Sequence, residues 1–397
     1  MPSAARPTVR LLPSRHKRVM EGHPWVYSNE AAMDAAAKAI PPGTVVKLAA
    51  ADGRILGAAF FNPHSLICAR MLSGDGNAEI GTAFLAARLM AALALRHALY
   101  DRPYYRLVHS EGDGLPGLIV DRFGDVLVCQ LNAAGMDRLS ADLLAALAEV
   151  LAPKAVVFRN DTPARALEGL ERSVTVALGE VSAPVVVEEG GARFFIDPVA
   201  GQKTGWFFDQ RDNRAFMASL AHGRSVADFY CYTGGFAIRC ALAGASAVHA
   251  FDSSEPALDL ARRSAEANGV ATVCRFAKAE AYGEMERLGG AGERFDIVIC
   301  DPPAFVKSRK DLNAGAKGYR KMARLAAALV SPSGFLFAAS CSHNMPAERF
   351  GEEIAKGVAQ AGRTGRVIRQ AGASPDHPIH PLLPESAYLK AAVLQLD

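Results

Sequence analysis

Ser225-Val-Ala-Asp-Phe-Tyr-Cys-Tyr-Thr-Gly-Gly-Phe236 carries the strongest fold signal in the chain. A short apolar run ends in a turn holding two adjacent glycines, and the Ala-rich segment 237–243 comes next with helix-forming composition. This is the order of a first β-strand, a tight loop where backbone passes close to a ligand, and a first helix. Glycine suits such a loop because, lacking a Cβ, it tolerates positive φ. The spacing is not G-x-G-x-x-G, so a dinucleotide cofactor is disfavoured. Taken alone, the stretch also reads as a plain Gly-Gly turn, and only the segments beyond it decide between the two.

Past residue 243, strand and helix alternate to the end of the chain, which implies a parallel α/β sheet with a final hairpin. The strand Ala247–Phe251 ends at Asp252, about 20 residues past the loop, where an acid can accept both hydroxyls of a ribose. Ser254 reads as the cap of the next helix, Glu255 and Pro256 as its first turn, and Asn268-Gly269 as its stop. A third strand, Val273–Phe276, leads to Glu280, an acid placed to meet an adenine amino group. A fourth, Phe295–Cys300, runs into Asp301-Pro-Pro-Ala-Phe305. An acid followed by two prolines makes a rigid bay at a strand end and turns the backbone outward. From 301 to 321 six basic residues, Lys307, Arg309 and Lys310 among them, face two acids. That balance suits a phosphate backbone, and equally a solvated helix face. The fifth strand, Gly334–Ser340, delivers Cys341 to the rim of the crevice.

Upstream, residues 1–72 carry nine Lys/Arg against four Asp/Glu. Arg15, Lys17 and Arg18 lead into Gly22-His-Pro-Trp-Val-Tyr27, and three strand-like runs come after: Thr44–Leu48, Ile55–Phe61 and Leu66–Leu72. This is a small β-rich module whose basic side either contacts RNA or is simply solvated. Residues 80–98 and 136–151 read as helices among strands at Tyr105–His109, Leu118–Asp121, Val126–Gln130 and Ala155–Phe158, an α+β insert. His109 and Glu111 read there as strand-end and loop residues and not as acid/base chemistry. Val185–Ile196 reads as a hairpin about Gly190-Gly191. Gln202–Arg214 is too polar for a core and too aromatic for a linker. It is either a grip on a cofactor tail or a surface loop pinned by Trp206.

Bulk properties exclude several classes. The 397 residues are 50% apolar and 21% charged, which is ordinary globular composition, and the length allows two or three domains. No run of 18 apolar residues and no signal-peptide core is present, so neither a membrane span nor export is expected. Seven scattered cysteines without a C-x-x-C pair argue for reduced thiols in a cytoplasmic protein and against a metal site. The net charge of +3 confines any nucleic-acid contact to local basic patches.

Together, Lys203-Thr-Gly-Trp-Phe-Phe-Asp-Gln-Arg211, Tyr232-Thr-Gly-Gly-Phe236, Asp252, Asp301-Pro-Pro-Ala-Phe305 and Ser340-Cys-Ser342 resemble the RlmI-type family over nearly the whole chain. The resemblance implies a class I, S-adenosylmethionine-dependent enzyme making 5-methylcytosine in bacterial large-subunit (23S) ribosomal RNA. It implies an α/β architecture: a PUA-like RNA-binding domain (1–75), a central α+β domain of EEHEE type (76–182), and a Rossmann-like methyltransferase domain with an N-terminal hairpin (183–397). Expected cofactor-binding residues are Phe208, Asp209, Gln210, Arg211, Asp228, Tyr232, Thr233, Gly234, Gly235, Phe236, Asp252, Ser253, Glu280 and Asp301. Cys341 and Asp301 are expected to be catalytic, and Phe305, Lys307, Arg309, Lys310, Arg15, Lys17 and Arg18 to touch RNA. Two departures stand out: Ala304 where the family has Lys, and Glu280 in place of the usual Asp. Expected partners are ribosomal RNA, with no membrane and no metal; the chain could also pair as a homodimer. Methylation of a purine nitrogen (for example guanine N7) is the alternative within the superfamily. An aromatic residue directly after Pro-Pro would favour exocyclic amine chemistry, and Ala304 stands there instead. A nucleotide-binding oxidoreductase is the alternative from another class.

Overall fold

The computed structural model describes residues 6–397, which form two compact units: 6–183 with 198–206 and 375–386, and 184–197 with 207–374 and 387–397.

The first unit holds two five-stranded sheets. Strands β1 (Thr8–Arg10), β2 (Trp25–Tyr27), β3 (Thr44–Ala49), β4 (Ile55–Phe61) and β5 (Ile67–Ser73) are ordered β1-β3-β4-β5-β2. Their shared core includes Val9, Leu11, Val46, Leu48, Phe61 and Cys68. The second sheet, β6 (Tyr104–His109), β7 (Leu118–Phe123), β8 (Val126–Leu131), β9 (Ala155–Asn160) and β10 (Ser173–Gly179), is ordered β10-β9-β8-β7-β6. Helices Thr82–Leu99 and Ser140–Leu151 bury Leu85, Leu89, Leu143 and Leu147 in its core. Helix Thr82–Leu99 is long and apolar enough to cross a membrane by length and composition alone. It nevertheless buries one stripe of residues, including Arg96, whose guanidinium grips Asp113 through both oxygens at 2.5 and 2.8 Å. A stripe at helical spacing is the mark of a core-facing helix.

The second unit begins with the hairpin of β11 (Val185–Glu189) and β12 (Ala192–Ile196), which turns at Gly190-Gly191 as its sequence indicates. Its main sheet has seven strands: β13 (Ser225–Phe229), β14 (Ala247–Asp252), β15 (Cys274–Lys278), β16 (Phe295–Cys300), β17 (Val330–Ser340), β18 (Gly365–Ala371) and β19 (Lys390–Leu396). The sheet order is β15-β14-β13-β16-β17-β19-β18, parallel from β15 to β17, with the final hairpin antiparallel. Strands β13 and β16 are buried along almost their whole length and read as near-continuous apolar runs, as strands covered on both faces do. The order reverses between β13 and β16, so the crevice at their carboxyl ends is where an open α/β sheet binds its ligand.

Several elements differ from the sequence reading. Strands β1 and β2 are three residues each, too short for a period to show, and β10 alternates Val174, Val176 and Leu178 with small or polar residues yet is exposed except at Ala177. Residues 136–151 divide at Leu139 into helices Ala134–Arg138 and Ser140–Leu151. The segment after Trp206 is not a plain loop: a short turn, Phe208–Gln210, opens a helix, Arg211–Ser219. Its polar residues Asn213 and Arg214 are buried, because Arg214 donates twice to Glu189 at 2.7 Å, and composition hid that pairing.

Candidate active site

The loop after β13 is built under strain. Tyr230 and Tyr232 adopt φ of 64° and 50°, and Gly234 has φ 81°. Left-handed backbone costs a non-glycine residue roughly 1–2 kcal/mol, and such strain clusters at ligand sites. What holds the turn is Asp252 at the end of β14: its Oδ2 accepts the Tyr232 amide and its Oδ1 the Ser254 amide, both at 2.9 Å. Gly234 then starts helix Gly235–Leu242. A Cβ on Gly234 would lie 3.2 Å from Ala261, Ile238 and Phe276 side-chain atoms, so the close approach needs glycine there.

Beside this loop, Asp228 and Thr233 are each 1% exposed. Asp228 Oδ2 accepts the Ala237 amide at 3.0 Å, while its Oδ1 and the Thr233 hydroxyl have no partner among the described residues. Burial pushes the Asp228 carboxyl well above the usual carboxylate range; the Ala237 amide opposes this, and Asp301 and Asp252 reinforce it. Three carboxylates thus stand at the ends of the adjacent strands β14, β13 and β16, in a crevice that disfavours further negative charge and favours a cation. Two buried polar atoms without partners are costly unless a ligand satisfies them. S-adenosylmethionine, with an ammonium and a sulfonium, fits this set. Asp228 and Thr233 would meet its amino-acid end, the amides of the Gly235–Leu242 helix its carboxylate, and Asp252 its ribose.

On the far side of β16, Pro302 is buried, and the Val306 amide donates to Ser342 Oγ at 3.1 Å. The Tyr319 hydroxyl bonds Ser340 Oγ at 2.7 Å and Ser342 Oγ at 2.8 Å, clamping both neighbours of Cys341. Cys341 is half-buried, whereas the other six cysteines are buried. Burial drives those thiols away from the thiolate: Cys68 and Cys274 are pushed up to about 12, and Cys300 goes well above the usual thiol value.

The remaining expected residues fall into three groups. Phe208, Asp209 and Gln210 are buried, and each is engaged inside the second unit. Asp209 Oδ2 accepts the Tyr388 hydroxyl at 2.5 Å, Gln210 Oε1 accepts Asn213 Nδ2 at 2.6 Å, and the Arg211 guanidinium lies over the Phe208 ring. Phe236 is buried and packs on Phe337, and Ser253 is exposed beside Asp252. Glu280 caps helix Ala281–Gly290 by accepting the Gly283 amide at 3.0 Å. Among the basic residues, Lys307, Arg309, Lys310, Arg15 and Lys17 are exposed, while Arg18 is tied to Glu30 at 3.0 Å. Half-buried Phe305 packs on Tyr319, ring centroids 4.7 Å apart. Glu111 is a buried joint: it accepts from Trp25 Nε1 at 2.7 Å and Arg70 at 2.8 Å.

Sequence reasoning missed Tyr319, Tyr388 and Lys390. Lys390 Nζ donates to the carbonyls of Ser342 at 2.6 Å and Tyr388 at 2.7 Å. It is the one charged residue in a final strand that is apolar but for Gln395, and that was the only available signal.

The family model of S-adenosylmethionine-dependent methyltransferases matches residues 173–382, and a PUA-like domain model matches 9–74. The chain is 36% identical over 393 residues to ribosomal RNA large subunit methyltransferase I of Shewanella amazonensis, covering 98% of this chain and 99% of that one. It is 36% identical over 391 residues to the protein of the same name from Erwinia tasmaniensis, covering 96% and 98%. Among solved structures, a SAM-dependent methyltransferase from Streptococcus mutans superposes with a TM-score of 0.82 at 20% identity, covering 98% of this chain and all of that one. A methyltransferase complexed with S-adenosylhomocysteine superposes with a TM-score of 0.83, also at 20% identity, covering 99% and 100%. Fold and site therefore define an S-adenosylmethionine-dependent methyltransferase carrying a PUA-like domain, with S-adenosylmethionine as its cofactor. The chain belongs to the ribosomal RNA large subunit methyltransferase I family.

Proposed function

We propose that this enzyme forms 5-methylcytosine in bacterial large-subunit ribosomal RNA through a covalent adduct of Cys341. The observation that carries the reading is that Cys341 alone among seven cysteines is not buried, and that it stands at a strand end beside the Asp301-Pro-Pro bay.

Bound S-adenosylmethionine supplies an electrophilic methyl group. Carbon 5 of cytosine is too weak a nucleophile to take it unaided, and a thiolate adding to carbon 6 makes it nucleophilic. In this reading Cys341 attacks carbon 6, Asp301 hydrogen-bonds the ring nitrogen and amino edge as the adduct forms, carbon 5 takes the methyl group, and loss of the carbon 5 proton to a base then expels the thiolate. The Tyr319 clamp keeps both flanks of Cys341 fixed, so the sulfur reaches carbon 6 without reordering the backbone. The target base must leave its stack to enter the bay. Phe305 would stack on it, and the exposed Lys307, Arg309, Lys310, Arg15 and Lys17 would hold phosphates. Arg18 takes part only if it exchanges Glu30 for a phosphate. Asp228, Tyr232, Thr233, Gly234, Gly235, Phe236, Asp252, Ser253, Glu280 and Asp301 would line the cofactor site. Phe208, Asp209, Gln210 and Arg211 would support it from beneath.

The same reading assigns 1–75 to RNA binding, 76–182 to a central domain and 183–397 to catalysis, in a cytoplasmic enzyme that uses no metal. A homodimer is the assembly that light scattering on the full chain would check.

The test uses RNA carrying 5-fluorocytosine with S-adenosylmethionine. Wild type is expected to trap a covalent complex and Cys341→Ala to trap none. Wild type that methylates but never traps, with Cys341→Ala still active, would refute carbon 5 chemistry and favour a purine nitrogen.

A further inference from the structure

Lys390 is the first residue of β19, and its backbone partner across the ladder is Ser340 of β17, the residue before Cys341. Its side chain reaches back to the carbonyl of Ser342, the residue after Cys341, at 2.6 Å. Lys390 is therefore tied through its backbone to the residue before Cys341 and through its ammonium to the residue after it. Lys390 is half-buried, and both of its hydrogen bonds among the described residues go to carbonyl oxygens, those of Ser342 and Tyr388, and not to a carboxylate. A buried cation without a paired anion is costly, and the cheapest anion to create nearby is the thiolate of Cys341.

We propose that Lys390 takes the proton of the Cys341 thiol and, as the ammonium, holds the thiolate ready for attack. This deepens the assignment of Cys341 as nucleophile and rests on it. The S–H bond breaks with its electron pair left on sulfur, and the lone pair of Nζ forms the new N–H bond. When the thiolate later departs from carbon 6 it finds the ammonium still in place, so the pair is regenerated without another proton. Lys390 acts through Cys341 and is thus a positioning residue.

The surrounding charges agree. Burial brings the Lys390 amine down to about 8, with the Cys341 charge pulling it back up. An amine near that value both accepts and returns a proton at neutral pH. The other titratable groups around the thiol are Tyr319 from helix Leu312–Leu329, His343 on the cysteine's own segment, Tyr388 stacked on His343, and Asp301 at the end of β16. Burial keeps Tyr319 protonated, and Asp301 carries the wrong sign to stabilise a thiolate. Lys390 is left as the cation of the group on the partner strand.

The experiment is the rate of iodoacetamide alkylation of the full chain against pH, with the modified residue mapped by mass. With its six other thiols buried, the chain offers this reagent Cys341 alone. Wild type should show a midpoint below the ordinary thiol value of about 8.5. Lys390→Met should raise the midpoint and slow alkylation at pH 7 by roughly tenfold or more, whereas Lys390→Arg, which keeps the positive charge but can take no proton, should leave the midpoint low. Binding of S-adenosylmethionine reports that each variant is folded. An unmoved midpoint in folded Lys390→Met overturns the proposal. Should that variant not fold, a wild-type midpoint at or above about 8.5 overturns it equally. No RNA is used, so a low midpoint with no 5-fluorocytosine trap would sink the cytosine reading and leave this one standing. A successful trap with an unmoved midpoint would do the reverse.

Discussion

Replacing Asp228 by asparagine separates what the site does for the cofactor from what it does for the fold. Asparagine keeps an oxygen for the Ala237 amide, bonded at 3.0 Å, and removes the charge at the oxygen that has no partner. If that oxygen meets the ammonium of S-adenosylmethionine, the loss is one buried charge-assisted pair, about 2–5 kcal/mol. At 1.4 kcal/mol per tenfold, the dissociation constant should rise roughly 30- to 4,000-fold. Stability should move the other way. The folded carboxyl is raised, chiefly by burial, so its contribution is fully present below the unfolded pKa and is lost as pH rises through the folded pKa. The cofactor-free variant should therefore match wild type in acid and exceed it in alkali. Because the ligand's ammonium favours the ionised carboxyl, binding to wild type should release protons while Asp228 is still protonated. Titration calorimetry in two buffers of different ionisation enthalpy reads both the affinity and that release, and urea melts read the stability. Asparagine binding within threefold of wild type, or an unchanged buffer dependence in the variant, would refute the assignment.

Gly234→Ala should cost about 2 kcal/mol, from left-handed φ and from a Cβ 3.2 Å from three side chains, seen as a Tm drop of roughly 4–8 °C with weaker cofactor binding. Tyr319→Phe strips the clamp from Ser340 and Ser342 and should destabilise by about 1–3 kcal/mol. Its kcat should fall while the cofactor's dissociation constant holds, which steady-state kinetics and calorimetry would separate. Arg96→Met leaves Asp113 buried without its bidentate partner and should cost about 3–5 kcal/mol in a urea melt of the full chain.

The frame of the catalytic unit was legible along the chain. Alternating strands and helices, a glycine pair after the first strand and acids at successive strand ends are local signals. Period, capping and turn chemistry are set by neighbours along the chain, as at Ser254 and Asn268, which cap their helix as read. Asp252, Asp301 and Cys341 were legible for the same reason, since a strand end is a place in the sequence as well as in space. Tertiary structure alone decided the rest. The pairing of Arg214 with Glu189 turned a polar stretch into a buried helix, and the exposed β10 took its conformation from β9. Lys390 lies 49 residues beyond Cys341 and reaches its flanking residues only because β19 runs antiparallel beside β17. Long-range contacts of that kind leave no period in the sequence, because the partners share a strand ladder and not a neighbourhood in the chain.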